Sequence, residues 1–345
     1  MSKVMSKMRT LVISPNWIGD AVMAQPLLRM LKQQHPERPI DVLAPPQVVP
    51  VWRRIQEADD ILVTPFRHRA LQLGERLKYA RLLKRRGYSD AYVLPNTLKY
   101  ALIPWLARIP RRVGYKGEMR YGMINVMHYD DESRSMVPFY SALAREPELP
   151  SPQSVRPYLV VGGEESNDVR ERLGLALDRP LVVFAPGAEF GIAKRWPPAH
   201  YGALAGRVAA TVPGVQIALL GSPNDAETCK EVQGHAGQAA ASIVNLSGRT
   251  SLDDAIALIA QAGAVVSNDS GLLHIASALN RPVVALYGST DPDYAPPLSD
   301  LSRTVSLRLE CSPCRKRECP LGHHDCMNKM DVDRVWKELA PILGG

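Results

Sequence analysis

Short aliphatic, β-branched runs alternate with helical patterns from one end of this chain to the other, and the scheme is run through twice. The first half carries TLVIS (10–14), IDVLA (40–44), ILV (61–63) and AYVL (91–94). The second carries PLVVFAPG, VQIALLG, SIVNL, AVVSND and PVVALYG. Strand, helix, strand in succession dictates parallel pairing, because parallel neighbours need a crossover connection. Near-continuous apolar runs suit strands covered by helices on both faces. The expected fold is therefore α/β: two Rossmann-like doubly wound domains in tandem, with a ligand-binding cleft between the C-terminal edges of their sheets.

Length agrees, since 345 residues at roughly 150 per domain give about two domains. Hydrophobic residues at 46% and charged residues at 22% exclude disordered, collagen-like and coiled-coil classes. From 147 to 179 the chain is rich in Pro, Glu, Ser and Gly and reads as a linker containing a short helix (166–173). The domains expected are thus 1–165 and 166–330. The segment DVDRVWKELAPIL is an amphipathic helix with Val332, Val335, Trp336, Leu339 and Leu343 on one face, and 331–345 is expected to pack back on the first domain. No apolar run reaches the roughly 18 residues of a spanning helix, and the opening is too short for a signal core, so the expected location is the cytosol.

Lys plus Arg at 42 against Asp plus Glu at 35 leave a net charge of +7. Its distribution is uneven: between Arg67 and Arg120 fourteen basic residues, Arg67 and Arg69 among them, face only Glu75, Asp90 and Glu118. LKYARLLKRRG (77–87) reads as an amphipathic helix ending at Gly87, with much of its charge solvated. PRRVGYKGEMRYG (110–122) reads as a glycine-containing loop whose Arg111, Arg112, Lys116 and Arg120 suit the phosphates or carboxylates of a large acidic partner. Nucleic acid is the competing partner and is not expected: aromatic residues are 6% of the chain, and no binding signature accompanies the basic loop beyond a partial zinc knuckle.

The turn after the first strand, SPNWIGD (14–20), opens a helix through about Gln34 and lacks G-x-G-x-x-G. No G-x-x-x-x-G-K-[ST] occurs anywhere, so dinucleotide binding in the first turn and P-loop chemistry lose support. Asp20 stands at that helix start, as an ionised proton acceptor or, the commoner use, as an N-cap. After the first strand of the second half comes PGAEFGIAKRWP (186–197). Gly187 and Gly191 there permit close backbone approach, and Lys194 and Arg195 supply the charge a diphosphate leaving group needs when no metal does; the alternative is a solvated Lys-Arg pair.

In SNDSGLLH (267–274) the Ser270-Gly271 pair at a helix start offers backbone N–H groups to an anion. Asp269 carries a like charge there, which suits it to ligand hydroxyls or to Lys194 rather than to phosphate. Its alternative use is an N-cap, with His274 satisfied inside the helix. In LLGSPNDAE the short polar side chains Ser222, Asn224 and Asp225 hold a ribose or base, or form an Asx-turn and cap. Four cysteines fall as Cys311-x2-Cys314-x4-Cys319-x6-Cys326 with His323 and His324 between the last two; they read as a structural zinc site or as reduced thiols packed as small hydrophobes. Cys229 reads as simply buried.

SPNWIGD, PGAEFGIAKRWP and SNDSGLLHIASALNRPVVALYG, in that order and spacing, resemble the ADP-heptose:lipopolysaccharide heptosyltransferases of Gram-negative bacteria over nearly the whole chain. SPNWIGD, NDSGLLH and CSPCRKRECPLGHHDC look more like the enzymes of the second heptosyl transfer than those of the first. The resemblance implies a GT-B glycosyltransferase whose N-terminal domain binds the acceptor, heptosyl-Kdo2-lipid A, and whose C-terminal domain binds ADP-heptose. It further implies inversion at the anomeric carbon and no required metal or other cofactor. Position by position, Asp20 matches the catalytic base and Lys194 the diphosphate stabiliser. Asp269, Ser270, Gly271, Leu272 and His274 match the donor turn, joined by Gly187, Arg195 and Asp225, the last as ribose ligand with Asn224 and Glu227 as neighbours. Asn16, Arg111, Arg112, Lys116 and Arg120 fall to the acceptor side, and a lipid-linked acceptor implies peripheral docking on the inner leaflet of the cytoplasmic membrane. The alternatives are the first heptosyl transfer, to Kdo2-lipid A, a nucleotide-sugar epimerase of the same architecture, and a basic nucleic-acid-binding module.

Overall fold

The computed structural model describes residues 8–66, 71–130, 135–150, 152–153 and 155–344; Arg67 and Arg69 of the basic stretch, Ser151 and Ser154 of the linker, and Gly345 lie outside them. The chain divides into two units, Met1–Leu159 and Val160–Gly345, so the boundary falls six residues before the expected 165.

The first unit is a parallel sheet of β1 (Arg9–Ile13), β2 (Ile40–Ala44), β3 (Asp60–Val63), β4 (Tyr88–Val93), β5 (Arg111–Tyr115) and β6 (Val126–His128). Their order is β3-β2-β1-β4-β5-β6. Val12 of β1 lies between Val42 and Tyr92, and Leu11, Val12 and Ile13 are all fully buried, which is why both faces of this strand read as apolar. Asp41 of β2 has no exposed surface and is met by Arg9, Arg86 and the Tyr88 hydroxyl. Arg86, part of the basic stretch, also reaches Asp60 at 2.6 Å, so some of that charge is consumed within the fold.

The second unit repeats the topology with β7 (Leu181–Ala185), β8 (Gln216–Leu219), β9 (Ile243–Asn245), β10 (Ala264–Asn268), β11 (Val283–Tyr287) and β12 (Ser302–Ser306), in the order β12-β11-β10-β7-β8-β9. Chain order therefore reverses between β1 and β4 in one sheet and between β7 and β10 in the other. At such a switch point the connections leave in opposite directions and open a crevice beyond the strands' C-terminal ends.

Several local expectations change. The helix expected from SPNWIGD to Gln34 is two helices, Ile18–Met23 and Gln25–Gln34, because Pro26 lacks the N–H that would continue the first and its ring would clash with the preceding turn. RRVGY, expected within a glycine-containing loop, is β5; Gly114 lets the strand pass β4, where a Cβ would sit 3.1 Å from the Val93 carbonyl oxygen. β12 escaped notice because only Val305 of its five residues is buried. The closing helix Val332–Leu343 belongs to the second unit: Val335 and Leu339 are buried in that unit's core with Leu204 and Val208 of helix Pro198–Thr211. Met327 and Met330, buried in the same core just before it, fix its entry there. Among the described residues no helix is long and apolar enough to cross a membrane.

Candidate functional site

The switch point of the second sheet brings together the loop after β7 and the turn after β10. Lys194 Nζ, on a single helical turn (Ile192–Lys194), donates to Asp269 Oδ2 at 2.6 Å and to the Asp269 carbonyl at 3.3 Å, and lies 4.8 Å from the Phe190 ring centre. Burial opposes charge on Asp269, but His274 and Lys194 outweigh it, and the carboxyl is held well below the usual carboxylate range. His274 Nε2 stands 3.7 Å from Asp269 Oδ1, an electrostatic contact longer than a hydrogen bond. The N-cap of helix Gly271–Ala278 is Ser270, so Asp269 serves the lysine rather than the helix. The first turn of that helix, with Gly271 and Leu272, presents N–H groups that have no partner within the helix.

Beneath lies Asn268, which sequence reading placed in the turn without a role. Its Oδ1 accepts from the Trp196 backbone N–H and the Tyr201 hydroxyl, both at 3.2 Å, and its Nδ2 donates to the Pro186 carbonyl at 2.7 Å. It thus pins both ends of the Lys194 loop to β10. The available signal was an amide at the last buried position of a strand, which demands partners.

Asp225 takes the capping role, one of its two expected uses. It is 5% exposed; Oδ2 accepts from Ser222 N–H at 3.0 Å and Ser222 Oγ at 2.7 Å, and Oδ1 accepts from Arg195 at 3.3 Å. This carboxylate is the capping group that the Asx-turn alternative foresaw. It also explains Gly187, where a Cβ would fall 2.3 Å from the Asp225 carboxyl carbon. Asn224 and Glu227 instead line a cavity of about 530 Å³ with Arg195, Thr228 and Glu231. Cys229 is buried as expected, and burial pushes its thiol up to about 11.

In the first unit, Asp20 sits in the first turn of helix Ile18–Met23, just beyond the C-terminal end of β1; the N-cap position belongs to Trp17. Asn16 Oδ1 accepts from the Tyr100 hydroxyl at 2.6 Å. The basic loop divides sharply. Arg120 is 1% exposed and donates to the Pro95 carbonyl at 2.7 Å, to Asn96 Oδ1 at 2.9 Å and to the Tyr115 carbonyl; burial lowers its pKa to about 10. Arg112 donates to the carbonyls of Ile109, Pro110, Gly122 and Met123. Both guanidiniums hold the loop's shape. Arg111 reaches Glu146 at 3.0 Å and the Tyr92 hydroxyl at 3.2 Å, whereas Lys116 is exposed, its ammonium 5.8 Å from the Tyr129 ring.

The four clustered cysteines line one small cavity. Among the described residues no group of three or more His, Cys, Asp or Glu side chains is placed to hold a metal ion, so the zinc alternative for these cysteines finds no support. The Cys326 thiol is pushed up to about 11 by burial and by the other three thiols.

Residues 76–324 match the model of glycosyltransferase family 9 (heptosyltransferase). The chain is 41% identical to lipopolysaccharide heptosyltransferase 2 of Escherichia coli K12, with 97% of this chain and 99% of the relative covered. It is also 41% identical to lipooligosaccharide heptosyltransferase 2 of Haemophilus ducreyi over the same shares. The solved ADP-heptose lps heptosyltransferase II of E. coli superposes with a TM-score of 0.87 at 39% identity, covering 97% of this chain and 98% of that one.

Proposed function

The chain belongs to glycosyltransferase family 9, the heptosyltransferases, and on that premise we propose that it moves L-glycero-D-manno-heptose from ADP-heptose to heptosyl-Kdo2-lipid A, the second heptosyl addition of the lipopolysaccharide inner core. Its two parallel sheets have the GT-B architecture. The observation that carries the reading is the Lys194–Asp269 pair at the second sheet's switch point, beside a helix start.

In this reading the second unit takes the donor. The diphosphate lies against Lys194 and the N–H groups of Ser270, Gly271 and Leu272, with Arg195 beside them; Asp269, steadied by His274, orients the ammonium. The ribose hydroxyls fall to Glu227 or Asn224, because Asp225 is engaged in its cap and acts through Arg195 and Gly187. The first unit takes the acceptor. Asp20 removes the proton of the acceptor hydroxyl as its oxygen attacks the anomeric carbon from the face opposite ADP. The bond to the diphosphate oxygen breaks, its electron pair leaves with ADP, and the configuration inverts. Fixed positive charge lowers this barrier because negative charge on the leaving group grows along the reaction. Lys116 and Arg111, with the Asn16 amide, face the acceptor's phosphates and carboxylates.

The test is ADP release from ADP-heptose with heptosyl-Kdo2-lipid A, with Kdo2-lipid A, and without acceptor, each with and without chelator. Release that requires the heptosylated acceptor and survives chelation is expected. Preference for Kdo2-lipid A reassigns the chain to the first transfer, and acceptor-independent turnover of the donor overturns the reading. The net charge of +7 supports peripheral docking at an anionic leaflet, so co-sedimentation with anionic vesicles should weaken as salt rises; salt-insensitive binding contradicts it.

A further inference from the structure

The segment from Cys311 to Cys326 has no part in the reaction just described, yet it is built against the loop that carries Lys194. Ala193 donates its N–H to the Arg317 carbonyl at 3.1 Å. At Gly191 a Cβ would fall 2.3 Å from that same carbonyl oxygen, so the backbones touch where only glycine fits. The Phe190 ring receives two cations, the Lys194 ammonium at 4.8 Å and the Arg317 guanidinium at 5.0 Å from its centre. Ala193 also shares one small cavity with the thiols of Cys311, Cys314, Cys319 and Cys326 and with Ser289.

The segment's other contacts are to the turn after β11. Arg315 donates its N–H to the Ser289 carbonyl at 2.7 Å, the Ser312 hydroxyl donates to the Gly288 carbonyl, and the Arg315 side chain reaches Asp291 at 3.4 Å. Backbone N–H groups of His324, Leu321, Gly322 and His323, turned toward the Cys319 sulfur, hold its thiol below its ordinary value and mark how tightly the segment is wound. The segment therefore spans from the loop after β7 to the turn after β11, over the end of β10 where Asp269 sits.

We propose that this cysteine-bearing segment is a brace that sets the Lys194 ammonium for the donor diphosphate, with Arg317 and Phe190 as positioning residues. The proposal rests on the reading of Lys194 as the diphosphate's cation. Asp269 holds the ammonium from one side by charge; Phe190, itself held by Arg317, holds it through its ring face. Arg317 is exposed, so truncating it removes a support of the ring without opening the core.

The test is ADP affinity by calorimetry on the full-length chain, with acceptor KM alongside. Arg317→Ala and Phe190→Leu should each weaken ADP by about fivefold, the scale of a cation–π contact, while acceptor KM holds. Arg317→Lys and Phe190→Tyr should restore most of the loss. In a Lys194→Gln background, Arg317→Ala should add nothing. Full loss persisting in that background means Arg317 acts on ADP itself and overturns the proposal. Unchanged affinity in Arg317→Ala and Phe190→Leu while Lys194→Gln is impaired overturns the brace and leaves the reading of Lys194 standing. Unchanged affinity in Lys194→Gln removes that reading and the brace with it.

Discussion

Lys194 Nζ lies 2.6 Å from Asp269 Oδ2, joining the two strand ends at which the second sheet reverses its order. An ammonium has three N–H donors; the Asp269 carboxylate and carbonyl take two, and the third is aimed by them. Asp269→Asn keeps the shape and discards the charge that aims the lysine. Removing one partner of a buried pair costs roughly 3–5 kcal/mol of stability. Loss of one preorganised group at a developing negative charge costs about 10²-fold in kcat. Thermal unfolding and steady-state kinetics of Asp269→Asn and Lys194→Gln should show both effects, and unaltered kinetics in either variant removes the pair from the leaving-group chemistry.

The same carboxylate sets an acid limit. Its folded pKa lies below the ordinary 3.8, so the unfolded chain takes up the proton first. The resulting stability is present above the ordinary carboxylate pKa and is lost as pH falls through the depressed folded value. Asp59, held down by Lys32, Asp254, held down by Ser251 and Arg172, Asp293, held down by Arg308, and Asp325, held down by Lys329 and His323, shift the same way, so the parent's slope belongs to all five. Between about pH 6 and about pH 3 the melting temperatures of parent and Asp269→Asn should draw closer, because acid begins there to remove what the variant already lacks. Parallel curves would detach Asp269 from the acid limit.

The fold was legible because buried parallel strands write continuous apolar runs, and every run picked out in the sequence is a strand of one of the two sheets. What escaped was polar or very short: β5 opens on two arginines, β12 buries a single valine, and β6 is only 3 residues long. The site was legible in part for a related reason. Lys194, Asp269 and Ser270 follow strand ends, where connection chemistry is exposed to a sequence reader, and the pairing of the first two was one of the uses foreseen for Asp269. For Asp225 both the cap and the ribose were foreseen and the sequence did not choose between them; for Arg112 and Arg120 the structural use was not foreseen, since a guanidinium spent on backbone carbonyls looks the same in sequence as one spent on a ligand. Phe190 and Arg317 are 127 positions apart and meet only through the fold.

Asp225 and Gly187 form a second coupled pair. A Cβ at 187 would meet the Asp225 carboxyl carbon at 2.3 Å, and Asp225 is held in place by Ser222 and Arg195. Gly187→Ala should therefore cost about 1–3 kcal/mol by overpacking. Asp225→Ala should cost about 1 kcal/mol or more through the lost cap. The double variant should be less destabilised than the sum, because removing the carboxylate makes room for the methyl. Additive melting shifts would show that the clash is relieved elsewhere.

The basic loop of the first unit offers the sharpest separation of stability from binding. Arg120 is sealed in, bonded to the Pro95 and Tyr115 carbonyls and to Asn96, whereas Lys116, four residues away in sequence, is exposed. Arg120→Met deletes the donors and leaves buried acceptors unsatisfied, at about 1–3 kcal/mol for each group so stranded. Its melting temperature should fall by several degrees while acceptor KM, measured well below that temperature, stays near the parent's. Lys116→Ala disturbs no buried partner and should melt as the parent does. Its acceptor KM should rise several-fold, and more at low salt than at high, because an exposed cation attracts an anionic acceptor through screened charge. The reverse pattern, an acceptor defect in Arg120→Met at unchanged stability together with a silent Lys116→Ala, would return the acceptor contact to Arg120.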